Sequence, residues 1–267
     1  MKIFCLSIYN ENYRLFKELN LIPVGLGNQN FEGEWLNDKG TFNISEKNIN
    51  FGEYTFHYNL WKNKINNKKY NDWIGFCSYR RFWKKNNTLE PKNILELKNS
   101  IIQKPDDSWY DNEVILAKPL IFKKIKNIKL IKRSLYEVLK KPSVLFKKTS
   151  LKDQFNIFHG SYFLKNAISF LKKNDQLEFS KFLDGYEYSP YNMFICKNSD
   201  ILVKFYEEIF PWLFKCEELF KNKNLIGYDK IRIYGFLAER YMPYWFKKNF
   251  KTLNWPITFF DTHKINF

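Results

Sequence analysis

The sequence predicts an α/β domain with a helix-rich C-terminal portion, about residues 150–250, inside one domain spanning 1–267. Three observations predict it. Short apolar runs alternate with helical patterns in the first half, and helical periodicity dominates the second. A chain of 267 residues with 45% hydrophobic and 19% aromatic residues can bury a large core without a disulfide or metal. That apolar content excludes disorder, the 27% charged residues exclude an integral membrane protein, and no apolar run approaches the ~20 residues of a membrane span.

Residues 1–9 carry one positive charge and too short an apolar run for a signal peptide, so they read as a first buried strand. A short helix over 13–19 and a strand over 21–25 follow, then a polar, glycine-containing loop over 28–43. Ser45, with Glu46 behind it, starts a helix running to Asn63. Residues 72–79 form a buried strand that ends in Arg80 and Arg81, and open α/β sheets hold ligands at such strand ends. The pattern continues with a helix over 91–103 and a strand over 113–117. The Lys-rich segment 123–148 has no legible structure. Helices over 150–159, 162–172 and 176–183 precede a strand over 191–196. The last two helices cover 200–220 and 231–241, with Pro243 ending or kinking the second.

The 44 basic and 28 acidic residues give a net charge of +16, which suits an anionic partner, although dispersed lysine is also an ordinary solvated surface. Arginine is more informative: of Arg14, Arg80, Arg81, Arg133, Arg232 and Arg240, two are adjacent. Their planar donor forks suit a diphosphate. Neighbours on an extended chain project to opposite faces, so at least one of the two should face the ligand, which leaves a structural role open to the other. Cys5, Cys77, Cys196 and Cys216 are widely spaced and read as small buried hydrophobes in a reducing, cytoplasmic setting. Glycine-rich nucleotide loops are absent, and Asp106–Asp107 is not an Asp-x-Asp pair. His57, His159 and His263 are dispersed structural residues, His159 being the one placed to face a cleft. Glu53 and Glu239 lie in apolar helical stretches, where a carboxylate needs a partner. Arg240 should face away from Glu239, because sequence neighbours on a helix do not meet.

Five blocks, in order, resemble a bacterial glycosyltransferase family: "ISEKN" at 44–48, Glu53 with "YNLWKN" at 58–63, "YNDWIGFCSYRRFW" at 70–83, "YNMF" at 191–194 and "GFLAER" at 235–240. The family is found in capsular polysaccharide, exopolysaccharide and O-antigen gene clusters, with members similar to β-1,3-galactofuranosyltransferases. The resemblance implies a GT-A-like fold and inverting transfer of a sugar, a furanose among the candidates, from a nucleotide-diphosphate donor such as a UDP-sugar. The acceptor would be a glycan or lipid-linked glycan. Arg80 and Arg81, helped by Lys47, would stabilise the leaving diphosphate in place of a metal, so no divalent cofactor is expected. Glu239 is the first candidate for the base, with Asp184 and Glu187 as others. Asn48 and Glu53 would shape the donor site, Tyr191 and Asn192 would contact sugar hydroxyls, and Tyr79, His159 and Arg240 complete the expected substrate site.

Where the family reads His-Tyr-Arg-Arg, this chain has Ser78-Tyr79-Arg80-Arg81, which leaves open an inactive glycan-binding relative. The basic surface suits peripheral contact with anionic lipid at the inner face of the plasma membrane. A nucleic-acid-binding protein is the competing class. Its aromatics would have to be exposed, whereas here they fall in apolar periodic segments, so no nucleic-acid partner is expected.

Overall fold

The computed structural model describes residues 1–27, 29–31, 33–65, 70–121, 139 and 148–264; most of the Lys-rich segment 123–148 lies outside them. The first half contains β1 (Lys2–Ser7), α1 (Tyr13–Glu18), β2 (Ile22–Gly25), β3 (Leu36–Asn37), α2 (Asn48–Phe51), α3 (Tyr54–Leu60), β4 (Ile74–Ser78), β5 (Arg81–Trp83), α4 (Ile94–Ser100), β6 (Val114–Ala117) and β7 (Leu120–Ile121). The second half contains α5 (Leu151–His159), α6 (Ser161–Ser169), α7 (Lys173–Leu183), β8 (Glu187–Tyr188), β9 (Phe194–Cys196), α8 (Ser199–Phe220), α9 (Tyr228–Ile231), α10 (Ile233–Asn249), β10 (Thr252–Trp255) and β11 (Ile257–Phe259).

The main sheet runs β10-β6-β9-β4-β1-β2-β3, with β5 and β11 branching from β4. β1 pairs in parallel with both β2 and β4, while β9 is antiparallel to β4 and β6. Alternation along β1 explains why its run is apolar throughout. Phe4 and Leu6 enter a core under α3, α8 and α10, whereas Ile3 and Cys5 enter a second core under α1 and α4. All four cysteines are buried and unpaired. Among the described residues no helix is long and apolar enough to cross a membrane.

Three sequence expectations are corrected. The helix from Ser45 to Asn63 is broken at Gly52, whose φ of +59° is left-handed and whose missing Cβ leaves room for the Arg232 guanidinium. Residues 191–196 are not all strand, because Tyr191 and Asn192 have φ of +71° and +51° and form a turn before β9. Helix α10 passes through Pro243 to Asn249. The proline forfeits one hydrogen bond, at about 3 kcal/mol. Met242, Trp245 and Phe246 around it are buried, each contributing roughly 1.5–3 kcal/mol, so packing wins. The C-terminal portion also returns to the sheet, since β10 pairs in parallel with β6 and β11 pairs with β5.

Candidate active site

A cleft of about 540 Å³ opens at the C-terminal ends of β1 and β4. The chain proceeds from β1 outward to β2 and β3 on one side, then returns to place β4 on the other. The cleft therefore sits at the topological switch of the sheet, where neighbouring connections part and leave a crevice. One side of it is a sheet rim made of Ser7 to Tyr9, Ser78 to Arg81 and Tyr191 to Met193; the other is a helical wall carrying Glu53, His57, Tyr228, Arg232, Gly235, Phe236 and Glu239.

The rim is a tight turn. Ser78 pairs with Arg81 across β4 and β5, so Tyr79 and Arg80 occupy its tip. Because the chain reverses here instead of staying extended, both arginines reach the cleft, which corrects the expectation that they face opposite ways. The Arg81 guanidinium lies 3.8 Å from the Tyr191 ring centre and that of Arg80 4.8 Å from Tyr79. Arg80 Nε is buried without a hydrogen-bond partner. Neither arginine pairs with a carboxylate among the described residues. The turn is clamped by its neighbours: Phe260 N donates to the Arg80 carbonyl at 3.0 Å and Thr262 Oγ1 to the Tyr79 carbonyl at 2.7 Å. His263 stacks on Tyr9 at 3.8 Å, and Tyr9 meets Tyr79 edge-on at 5.0 Å.

The two carboxylates of the wall hold the 191–192 turn in its strained conformation. Glu239 Oε1 accepts from Tyr191 N at 2.7 Å, and Glu53 Oε1 accepts from Asn192 Nδ2 at 3.0 Å. Tyr54 donates its hydroxyl to Asn192 Oδ1 at 3.2 Å. Glu53 also pairs with Arg232 at 3.1 Å. Arg240 does meet Glu239, its Nη1 lying 2.7 Å from Oε2, contrary to the helical-direction argument. The long side chain turns back across the Tyr188 ring, 4.1 Å away, and its Nη2 donates to Gln154 Oε1. Tyr188 donates to Glu239 Oε2 at 3.4 Å; burial pushes its phenol pKa well up and keeps that proton in place. His57 is fully buried beneath the cleft beside Tyr206, 2.7 Å from its hydroxyl, and burial lowers its pKa to about 3, so it is neutral.

Of the residues singled out in the sequence, the cleft brings together Arg80, Arg81, Tyr79, Glu53, Tyr191, Asn192 and Glu239. It does not include Lys47, which pairs with Glu217 at 2.9 Å, or Asn48, which bonds the Gly52 carbonyl and Thr55. Asp184 and Glu187 are exposed at the end of α7 and in β8. Arg240 lies behind Glu239, 2% exposed, and His159 lies behind Phe236. Sequence reasoning missed Arg232, Tyr228, Phe236 and Tyr9. Arg232 had a signal, as one of the few arginines and three residues before the Gly235 block. Among the described residues no group of three His, Cys, Asp or Glu side chains is arranged to hold a metal.

The model of a family described as a domain of unknown function, DUF4422, matches residues 5–250. Among solved structures, the apo structure of the bifunctional glycosyltransferase WbbM is similar with a TM-score of 0.67 at 20% identity, covering 97% of this chain and 45% of that one. The chain thus spans less than half the length of that neighbour, and the likeness is one of fold: a mixed α/β, GT-A-like domain. No curated protein matches.

Proposed function

The chain belongs to the DUF4422 family, and on that premise we propose that it is a glycosyltransferase that moves a sugar from a nucleoside-diphosphate donor to a glycan acceptor. One observation carries the reading. Two guanidiniums without carboxylate partners among the described residues share a strand-end cleft with a carboxylate that is held in place. In the reaction the acceptor hydroxyl oxygen forms a bond to the anomeric carbon as its proton passes to Glu239. The bond from that carbon to the diphosphate oxygen breaks, its electron pair leaves with the diphosphate, and the configuration inverts. Arg80 and Arg81 stabilise the charge that develops on the leaving oxygens, the task a divalent cation performs elsewhere. We take the donor to be a UDP-sugar, furanoses included, and the acceptor to be a surface polysaccharide, glycan or lipid-linked glycan, approached from the basic surface at an anionic membrane.

Thermal unfolding with UDP, GDP, CMP and their sugar conjugates, with and without EDTA, tests this reading, because a ligand of the native state raises Tm by mass action. Stabilisation by uridine nucleotides that EDTA leaves unchanged is the expected outcome. An absence of stabilisation by any nucleotide overturns the reading, and stabilisation that EDTA abolishes overturns its metal-free form.

A further inference from the structure

The two sides of the cleft differ in charge balance. On the rim, Arg80 and Arg81 stand without carboxylate partners among the described residues, so an anion is drawn there. On the wall each charged side chain that lines the cleft is matched, Glu53 by Arg232 at 3.1 Å and Glu239 by Arg240 at 2.7 Å. That wall has no net attraction for an anion. It offers instead fixed donors and acceptors beside aromatic faces. Tyr228 is 66% exposed, and the partly exposed ring of Phe236 meets it near-perpendicularly with centres 5.9 Å apart. Phe236 is backed by the His159 ring, stacked at 4.2 Å and fixed by a hydrogen bond of 2.6 Å to the Asp229 carbonyl. The Arg232 guanidinium lies 5.7 Å from the Tyr228 ring centre.

A neutral sugar has the complementary chemistry. Its C–H face packs on an aromatic ring, and its vicinal hydroxyls match a planar carboxylate and guanidinium side by side. We propose that the wall formed by α9 and the start of α10 is the acceptor subsite and that its occupant is an uncharged saccharide. Tyr228 and Phe236 stack the sugar, the Glu53–Arg232 pair bonds adjacent hydroxyls, and a further hydroxyl is thereby presented to Glu239. The role as acceptor rests on the transferase reading above; saccharide binding at this wall does not.

The test is saturation-transfer NMR on the full chain with methyl glycosides of galactose, glucose, mannose and N-acetylglucosamine, and with lactose, alongside titration of UDP. Saturable binding of at least one of these sugars is expected, weakened about tenfold in Tyr228→Ala and in Phe236→Leu with UDP affinity unchanged. The exposed position of Tyr228 makes its variant informative even if Phe236→Leu does not fold. Failure of every sugar to bind, binding that both variants retain, or loss of UDP affinity in place of sugar affinity overturns the proposal. Sugar binding that depends on Tyr228 in a protein that binds no nucleotide supports the saccharide site and sinks the transferase reading; nucleotide binding without any sugar binding does the reverse.

Discussion

The rim and the wall of the cleft are built by different means. The cationic turn of the rim is local: Ser78 pairs with Arg81 across two residues, and both cations come from adjacent positions on one hairpin. The wall is assembled across the chain, with Glu53 bonded to Asn192 and Arg232, 139 and 179 residues away, and Glu239 bonded to Tyr191, 48 residues away. A local device depends on strand register, whereas an assembled one depends on all the packing that delivers its parts. Rim substitutions should therefore alter chemistry and leave stability alone, while wall substitutions should alter both.

The sharpest way to break that contrast is at the rim. Arg80→Ala and Arg81→Ala should each lower transfer by roughly 100- to 1,000-fold, the usual loss when one preorganised donor to a developing oxyanion is removed. Their Tm should stay close to that of the parent. A large fall in Tm would make the rim part of the scaffold and erase the distinction. At the wall, Arg240→Met leaves the mostly buried Glu239 carboxylate without its cation and should cost about 3 kcal/mol in urea denaturation, with activity falling alongside. Unchanged stability there would mean that the wall is no more interdependent than the rim.

Beneath the wall, His57 predicts a pH effect. Its native pKa of about 3 lies below the ordinary 6.5, so on acidification the unfolded chain takes up a proton that the folded chain refuses. Its contribution is complete above pH 6.5 and is lost as pH falls toward 3, at about 1.4 kcal/mol per pH unit. Denaturation between about pH 6.5 and 5, above the ordinary range of carboxylate titration, should show that slope, and His57→Asn should lack it. Equal slopes in both proteins would show that some other group carries the effect. The smallest effect is expected at Lys47, whose partly exposed pair with Glu217 lies outside the cleft. Lys47→Ala should cost no more than about 1 kcal/mol and leave transfer within about twofold, and a larger loss of transfer would extend the site beyond the two sides described.

Legibility followed the same division. β1, β4 and β6 are readable as apolar runs bounded by turns or charge, because a strand buried on both faces has to be apolar at every position. The Arg80–Arg81 pair was visible because it interrupts such a run at its C-terminal end. Tyr191 and Asn192 were legible as residues but not as a turn, since nothing in their own identity requires positive φ; the carboxylates of Glu53 and Glu239 impose it. His159 was placed near the cleft but not behind it, because the ring that it supports belongs to α10.

The sequence by itself determined the alternation of strands and helices, the burial of the four cysteines and the position of an arginine pair at the end of a central strand. Each follows from periodicity, hydrophobicity and steric rules that act over a few residues. Tertiary structure alone decided that both arginines share one cleft, that Arg240 turns back onto its neighbour and that Arg232 fills the space left by Gly52. Those outcomes depend on where distant segments come to rest when two cores close on opposite faces of one sheet, and no local pattern encodes that.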